Sequence, residues 1–312
     1  MKRLYPLLDL KSPEAVKVAL SVGADPFSLP KWILERVRPL LGDEGLRKLL
    51  RRKNWVRLNT LKNNLQDILE RLKKKGYSFR PDPEFSYLVE WISPQVSSLP
   101  EFREGILIPQ DKSSVIVVKV LDPKPGERIL EIGGAPGTKT SLIQQLTENR
   151  SYVISVDVSM KRVEVQRRLL QRWGVQNVDL VIADGSEFWI TNADKILIDA
   201  PCTNSGTINV DPSIALRLTK TELLKLVNVQ KRILRRALSL GVPVVYSTCS
   251  LFPDEGERQV EEFSRYLVKL TDDPLHQGYR KSKVWMKVMR TYPHLDYSEG
   301  FFISRIEPHM TR

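Results

Sequence analysis

From about residue 106 onward, short apolar runs alternate strictly with amphipathic stretches, and few folds satisfy that order. Arg128–Ile132, Tyr152–Asp157, Val178–Ile182, Lys195–Asp199 and Pro243–Ser247 read as strands. Between and after them, residues of about 138–147, 161–173, 221–240 and 255–270 carry helical spacing. The strands are near-continuous Val, Ile and Leu, as expected when both faces of a parallel sheet are covered by helices. In such an open sheet, ligands bind beyond the carboxyl ends of the strands. That rule selects Gly133–Gly137, Asp157, Asp184, Asp199–Cys202 and Thr248–Cys249, which should gather on one rim.

Upstream of the alternation the chain reads differently. Residues 1–53 read as a helical segment, with starts at Ser12-Pro13-Glu14 and near Ser28-Leu29-Pro30-Lys31, where Ser precedes an early Pro. Residues 54–105 read as a small α+β unit: a strand at Trp55–Leu58, an amphipathic helix over Leu61–Lys75 closed by Gly76, and strands near Tyr77–Phe79 and Tyr87–Trp91. The expected domains are therefore 1–53, 54–105 and 106–312.

The loop Gly133-Gly134-Ala135-Pro136-Gly137 is small enough for a backbone to approach a ligand, with the free N–H groups of a helix next in line. Asp157 ends the following strand, where a carboxylate can accept from both hydroxyls of a ribose. The loop lacks both the GxGxxG fingerprint and the lysine-serine of a P-loop, which turns the reading from nucleotides with a pyrophosphate towards a nucleoside such as S-adenosylmethionine. Asp184 stands where an adenine amino group would be met. The plainer alternative is that Asp157 or Asp184 caps the next helix.

The chain holds two cysteines, Cys202 and Cys249, each just past a strand. A free cysteine is commonly a small buried hydrophobe. One reaction gives two cysteines in a cleft a use. Carbon 5 of cytosine is a poor nucleophile, and a thiolate adding at carbon 6 makes it an enamine able to attack an electrophilic methyl. A base then removes the proton at carbon 5 and the thiolate leaves. The attacking thiol should have its pKa lowered by a nearby positive charge or helix N-terminus. Asp199 is placed to hold the amino group and N3 of the base.

Charge agrees with a polyanionic partner. Lys plus Arg number 49 against 37 Asp plus Glu, a net +12, and phosphate neutralisation rewards such an excess. Basic segments at 47–53, 73–75, 231–236 and 280–290 are candidate phosphate contacts, with Arg280, Lys281, Lys283, Lys287 and Arg290 dense around Trp285. Each is equally readable as a solvated face. Two cysteines and three scattered histidines, His276, His294 and His309, suggest neither a disulfide framework nor a metal site. With no secretory h-region and no apolar run of spanning length, a cytoplasmic, membrane-free protein is expected, as a monomer.

These residues together resemble the RNA (cytosine-5)-methyltransferase family often called NOL1/NOP2/Sun, over roughly residues 55–307. The family's Asp-x-Cys-Ala-Ala-Pro-Gly-Gly-Lys-Thr loop stands here as Glu131 to Thr140, and its Pro-Cys and Thr-Cys motifs as Pro201-Cys202 and Thr248-Cys249. Pro109-Gln110-Asp111 with Ser113-Ser114, Ser205-Gly206-Thr207 with Asp211-Pro212, Gly300-Phe301-Phe302 and Asn59-Thr60-Leu61-Lys62 are similar to further family segments. The resemblance implies a Rossmann-like class I methyltransferase with a mostly parallel seven-stranded sheet, preceded by a small RNA-recognition-like domain. It implies S-adenosylmethionine as cofactor and RNA, tRNA or rRNA, as partner. It casts Cys249 as nucleophile and Cys202 as the group that assists release, whereas a DNA cytosine methyltransferase attacks with its Pro-Cys cysteine. Ala135, Pro136, Gly137, Lys139, Asp157, Arg162, Asp184 and Asp199 match cofactor-contact positions. Glu131, Gly133, Gly134 and Thr138 depart from the loop pattern, and Thr138 is expected to alter its path. An RNA-binding factor that kept the fold without activity is the rival reading.

Overall fold

The computed structural model describes residues 29–188, 190 and 192–308, so the helix start at Ser12 and residue His309 lie outside the described residues. Two sheets organise the chain. The small one contains β1 (Trp55–Leu58), β2 (Ser78–Pro81), β3 (Leu88–Ser93) and β4 (Leu107–Pro109), all antiparallel, in the order β2-β3-β1-β4. It reaches past the boundary expected at 105, because Leu107–Pro109 pairs with β1; three residues are too few to show a period.

The large sheet contains β5 (Arg128–Ile132), β6 (Tyr152–Asp157), β7 (Val178–Ile182), β8 (Lys195–Asp199), β9 (Val244–Thr248), β10 (Leu267–Val268), β11 (Met289–Arg290) and β12 (Phe302–Ile306). Seven strands follow one path, β10-β12-β9-β8-β5-β6-β7, and β11 pairs with β12 beside it. The five from β9 to β7 are parallel; β10, β11 and β12 add antiparallel pairs. Side-chain alternation explains the apolar runs. Leu130, Ile132, Ile196, Ile198, Val244 and Tyr246 bury on one face, and Ile129, Val153, Leu197 and Val245 on the other. Each such side chain contributes about 1.5–3 kcal/mol by leaving water.

Six longer helices complete the layers: α1 (Lys31–Arg47), α2 (Leu65–Lys74), α3 (Lys112–Leu121), α4 (Thr138–Leu146), α5 (Met160–Trp173) and α6 (Lys220–Leu238). α1 bends at Gly42, whose φ is +63°. Its Ile33, Val37 and Leu41 pack with Ile208, Ile214, Leu251 and Phe252, so the N-terminal segment props the loops that follow both cysteines. Among the described residues no helix is long and apolar enough to cross a membrane.

Three expectations change. α2 begins at Leu65, not Leu61: the Asn59 side chain accepts from the Leu61 N–H and starts a turn, and Asn64 then caps the helix by accepting from Asp67. The expected helix over 255–270 is instead a 3-10 turn, a one-turn helix at Glu257–Val260, a second 3-10 stretch and β10. Glu255 and Glu257 there are fully buried and engaged by neighbouring loops, which breaks the regular path. Trp55–Leu58 alternates like a strand with one buried face, yet all four of its residues are buried, because the second face meets the large domain.

That contact centres on Arg57, 0% exposed. Its Nε donates to Gln110 Oε1 at 2.6 Å, Nη1 to Gln145 Oε1, and Nη2 to Ser141 Oγ and the Thr138 carbonyl. Burial pulls its pKa down to about 9, so it stays charged at neutral pH. One guanidinium thus ties the small sheet to the start of α4. Arg57→Leu leaves several buried acceptors unpaired and is expected to lower stability by about 2–4 kcal/mol in urea unfolding; a change below about 0.5 kcal/mol contradicts this role.

Candidate active site

The carboxyl ends of five parallel strands meet at a cleft of about 390 Å³. Gly133 follows β5, Asp157 ends β6, Asp184 lies past β7, Asp199 ends β8 and Cys249 follows β9, and all five line it together with Cys202. The rim expected from the strand order is therefore where these residues converge.

The loop after β5 is shaped by contact with its neighbours. Gly133 has φ +81°, and a Cβ there would lie 2.1 Å from the Asp199 carbonyl oxygen. A Cβ on Gly134 would lie 2.0 Å from Ser155 Oγ and 2.6 Å from Glu131 Oε2. Glu131 is fully buried, one methylene longer than aspartate, and burial pushes its carboxyl up to about 7. The Glu131 and Gly134 departures thus form one exchange, the longer acid filling the space a Cβ would need. Thr138 is the first residue of α4, after Gly137 at the cap. Ala135, Pro136 and Gly137 form the turn beyond the cleft wall, and the Ala135 carbonyl accepts from Arg162 Nη2.

Asp157 is 3% exposed. Its Oδ1 accepts from the Ser159 N–H at 3.0 Å in a local turn, while the cap of the next helix is Ser159 itself, so Asp157 does not take the capping role. Arg162 Nη1 lies 3.0 Å from Oδ2 as an ion pair but is not aligned as a donor, and Oδ2 is buried with no hydrogen-bond partner. Asp157 lines the cleft, and an acceptor without a hydrogen-bond partner there fits a ribose hydroxyl. Asp184 is exposed and turns back on Ser186, whose N–H and hydroxyl both donate to it; the backbone bond leads in lowering its pKa.

Lys139 does not line the cleft. It is buried, reaches Asp199 Oδ2 at 2.7 Å, and sits 5.3 Å above the Phe301 ring. Burial pulls its pKa down, but Asp199, with Cys249 and Glu131 behind it, leaves the ammonium above its ordinary value.

Cys202 and Cys249 are free thiols with Sγ atoms 3.0 Å apart, beyond the ~2.05 Å of a disulfide. Cys249 Sγ donates to Asn204 Oδ1 at 2.9 Å. The lowered pKa expected for the attacking thiol is absent. Its bond with Cys202, then burial, then the Asp199 and Glu299 charges push Cys249 well above the usual thiol range. The nearby cation, Lys139, is committed to Asp199.

Three residues here escaped the sequence reading. Asn204 receives the Cys249 thiol. Glu255, buried, accepts from the Thr203 N–H and hydroxyl, Ser250 Oγ and Gln230 Nε2, binding both cysteine loops to one carboxylate. Glu299 precedes the Gly300-Phe301-Phe302 segment and acts on the thiol. An acidic residue six places past Cys249, between Pro253 and Gly256, was the available signal for Glu255. Arg290 moves the other way, from candidate phosphate contact to core. Fully buried, it makes two 2.7 Å bonds to Glu257 and one to the Ser250 carbonyl. Trp285 is half-buried with Arg280 5.7 Å from its ring centre.

Comparison with known proteins places the chain in a family. A family model described as 16S rRNA methyltransferase RsmB/F matches residues 118–307. The tRNA (cytosine(49)-C(5))-methyltransferase of Pyrococcus abyssi is 31% identical over 274 residues, 80% of this chain and 86% of that protein. Ribosomal RNA small subunit methyltransferase B of Photorhabdus laumondii is 30% identical over 89% of this chain and 66% of its own length. Among solved structures, NSun6 from Pyrococcus horikoshii with SFG superposes with a TM-score of 0.78 at 25% identity, covering 89% of this chain and 98% of that one. A methyltransferase homologue from the same organism gives 0.76 at 30% identity, covering 95% and 99%. Matched by a family model over more than half its length and by a relative above 30% identity, the chain belongs to the RsmB/F methyltransferases, the RNA (cytosine-5)-methyltransferase family its motifs resemble.

Proposed function

We propose that this chain methylates carbon 5 of a cytosine in tRNA or rRNA, using S-adenosylmethionine and a transient bond between Cys249 and carbon 6. The observation that carries the reading is the pair of free thiols 3.0 Å apart, on neighbouring parallel strand ends, beside a cleft with an orphaned buried carboxylate oxygen. The names of the relatives support RNA as substrate, and so does the net charge of +12.

Asp157 would hold the ribose of the cofactor, Asp184 its adenine end, and Gly133 lets the backbone approach. S-adenosylmethionine supplies, when bound, an electrophilic methyl group. The chain supplies the rest. Cys249 gives the proton it carries at rest to solvent and adds to carbon 6 as the thiolate; Asn204 Oδ1 keeps the thiol oriented. Lys139 keeps Asp199 as a carboxylate, suited to accept from the amino group that distinguishes cytosine. Cys202, touching Cys249, is placed to take the carbon 5 proton as a thiolate, its own proton having gone to solvent, so that the Cys249 thiolate can leave. The cytosine must leave its stack to enter.

Asp157→Asn is expected to weaken S-adenosylmethionine binding about 10–100-fold by calorimetry, the loss of a charge-assisted acceptor. Unchanged affinity removes Asp157 from the site, and no binding by the unaltered chain favours the inactive RNA-binding reading. Cys249→Ala is expected to lower methyl transfer at least ~1000-fold, whereas Cys202→Ala accumulates a protein–RNA adduct visible on a denaturing gel. If neither change slows transfer, the covalent route is wrong.

A further inference from the structure

A second cleft, of about 660 Å³, opens between the small sheet and the segments that carry Val210 and Glu299. Arg52, Trp55, Ile92, Asp111, Val210 and Glu299 are among its walls. Glu299 is tied to the nucleophile's loop through the backbone. Gly300 N–H donates to the Gly206 carbonyl at 2.8 Å, and Gly206 N–H donates to the Cys249 carbonyl at 3.0 Å. Its carboxyl acts on the Cys249 thiol, and Lys139 and Asp199 in turn act on it. Asp199 and Cys249 line the first cleft and Glu299 lines the second.

The reaction asks for two acids in opposite states. When sulfur bonds to carbon 6, the carbon 5–carbon 6 π pair moves to carbon 5–carbon 4, and the carbon 4–N3 pair becomes a lone pair on N3 that needs a proton. The exocyclic amino group, one position away, needs an acceptor. Asp199 is paired with Lys139 at 2.7 Å and suits the acceptor role. None of the described residues donates a hydrogen bond to the Glu299 carboxyl. Its neighbour Asp111 accepts from the Ser113 and Glu299 N–H groups at 2.9 and 3.1 Å, so charge is better accommodated on Asp111 and the proton on Glu299. Burial first, then Asp111, raise the Glu299 carboxyl to about 8, against the pull of Lys139 and Arg52.

We infer that Glu299 faces the target base and gives N3 its proton as Cys249 adds to carbon 6, while the ion-paired Asp199 accepts from the amino group. Glu299 becomes a carboxylate at that step. It recovers the proton from N3 when the carbon 5 proton is removed and the thiolate leaves. Uracil carries a hydrogen on N3 and would present donor to donor, so the same residue favours cytosine. This rests on the proposed function.

The test compares the unaltered chain with Glu299→Gln, which keeps shape but cannot transfer the proton. An equimolar pool of unmodified tRNA and small-subunit rRNA transcripts is the substrate. Single-turnover methyl transfer is read from about pH 6 to 9.5, and deuterium uptake at cytosine carbon 5 is read without S-adenosylmethionine, which reports addition alone. The unaltered chain is expected to lose rate as pH rises through about 8, where the donor is deprotonated. Glu299→Gln is expected to be slower in both readouts by about 100-fold near pH 7 and to lack that alkaline decline, with cofactor affinity unchanged. Glu299→Asp, which keeps a proton donor, is expected to recover part of the rate and serves if the glutamine variant does not fold. Glu299→Gln with an unaltered rate and pH profile overturns the inference alone. An unaltered chain that neither methylates the pool nor exchanges carbon 5 overturns the proposed function as well.

Discussion

A single buried carboxylate, Glu255, holds together the loops that carry the two cysteines. It takes four donors: two from Thr203 beside Cys202, one from Ser250 beside Cys249, and one from Gln230 on α6. Burial raises its pKa, and the donors oppose that rise. A buried carboxylate is tolerated only when so satisfied, and removing any donor would leave charge uncompensated. The Tyr246 hydroxyl donates to the Glu255 backbone carbonyl at 2.9 Å, anchoring the same residue to β9. Parallel pairing of β8 and β9 sets the distance between the loops, and Glu255 sets their orientation.

Other buried charges extend this frame outward. Arg290 bridges Glu257 to the Ser250 carbonyl, fixing the loop after Cys249 from the β11 side. α1 packs beneath the segments following each cysteine, with Arg36 pairing Asp254 at 3.2 Å. Arg57 fastens the small sheet to the helix that follows the Gly133 loop. The small sheet is thereby fastened to the domain that carries the strand-end cleft. Its bond with Cys202 and its burial keep Cys249 a protonated thiol at rest, which limits its reactivity away from substrate.

The central strands were legible to the residue because parallel strands buried on both faces are short apolar runs bounded by polar ends. β5, β6, β7 and β8 begin and end where the sequence places them. The strand-end rule then gave the rim, including both cysteines. What resisted reading has physical causes. Lys112–Leu121 is rich in β-branched Val and Ile, so its helix is carried by burial and by the Asp111 cap rather than by propensity. Glu255 and Glu299 carry no periodicity, and only their surroundings distinguish them from surface acids. The lowered thiol pKa failed for a similar reason: Lys139 is present, but its partner is Asp199, and sequence does not show which of two neighbours a lysine chooses.

In the proposed reaction Cys249, not Cys202, bonds to cytosine. Cytosine bearing fluorine at carbon 5 has no proton there to remove, so the adduct persists after methyl transfer. The enzyme incubated with S-adenosylmethionine and RNA containing 5-fluorocytidine, then digested and examined by mass spectrometry, should yield a nucleotide-linked peptide carrying Cys249. A linkage at Cys202, or no linkage while ordinary RNA is methylated, would contradict the account.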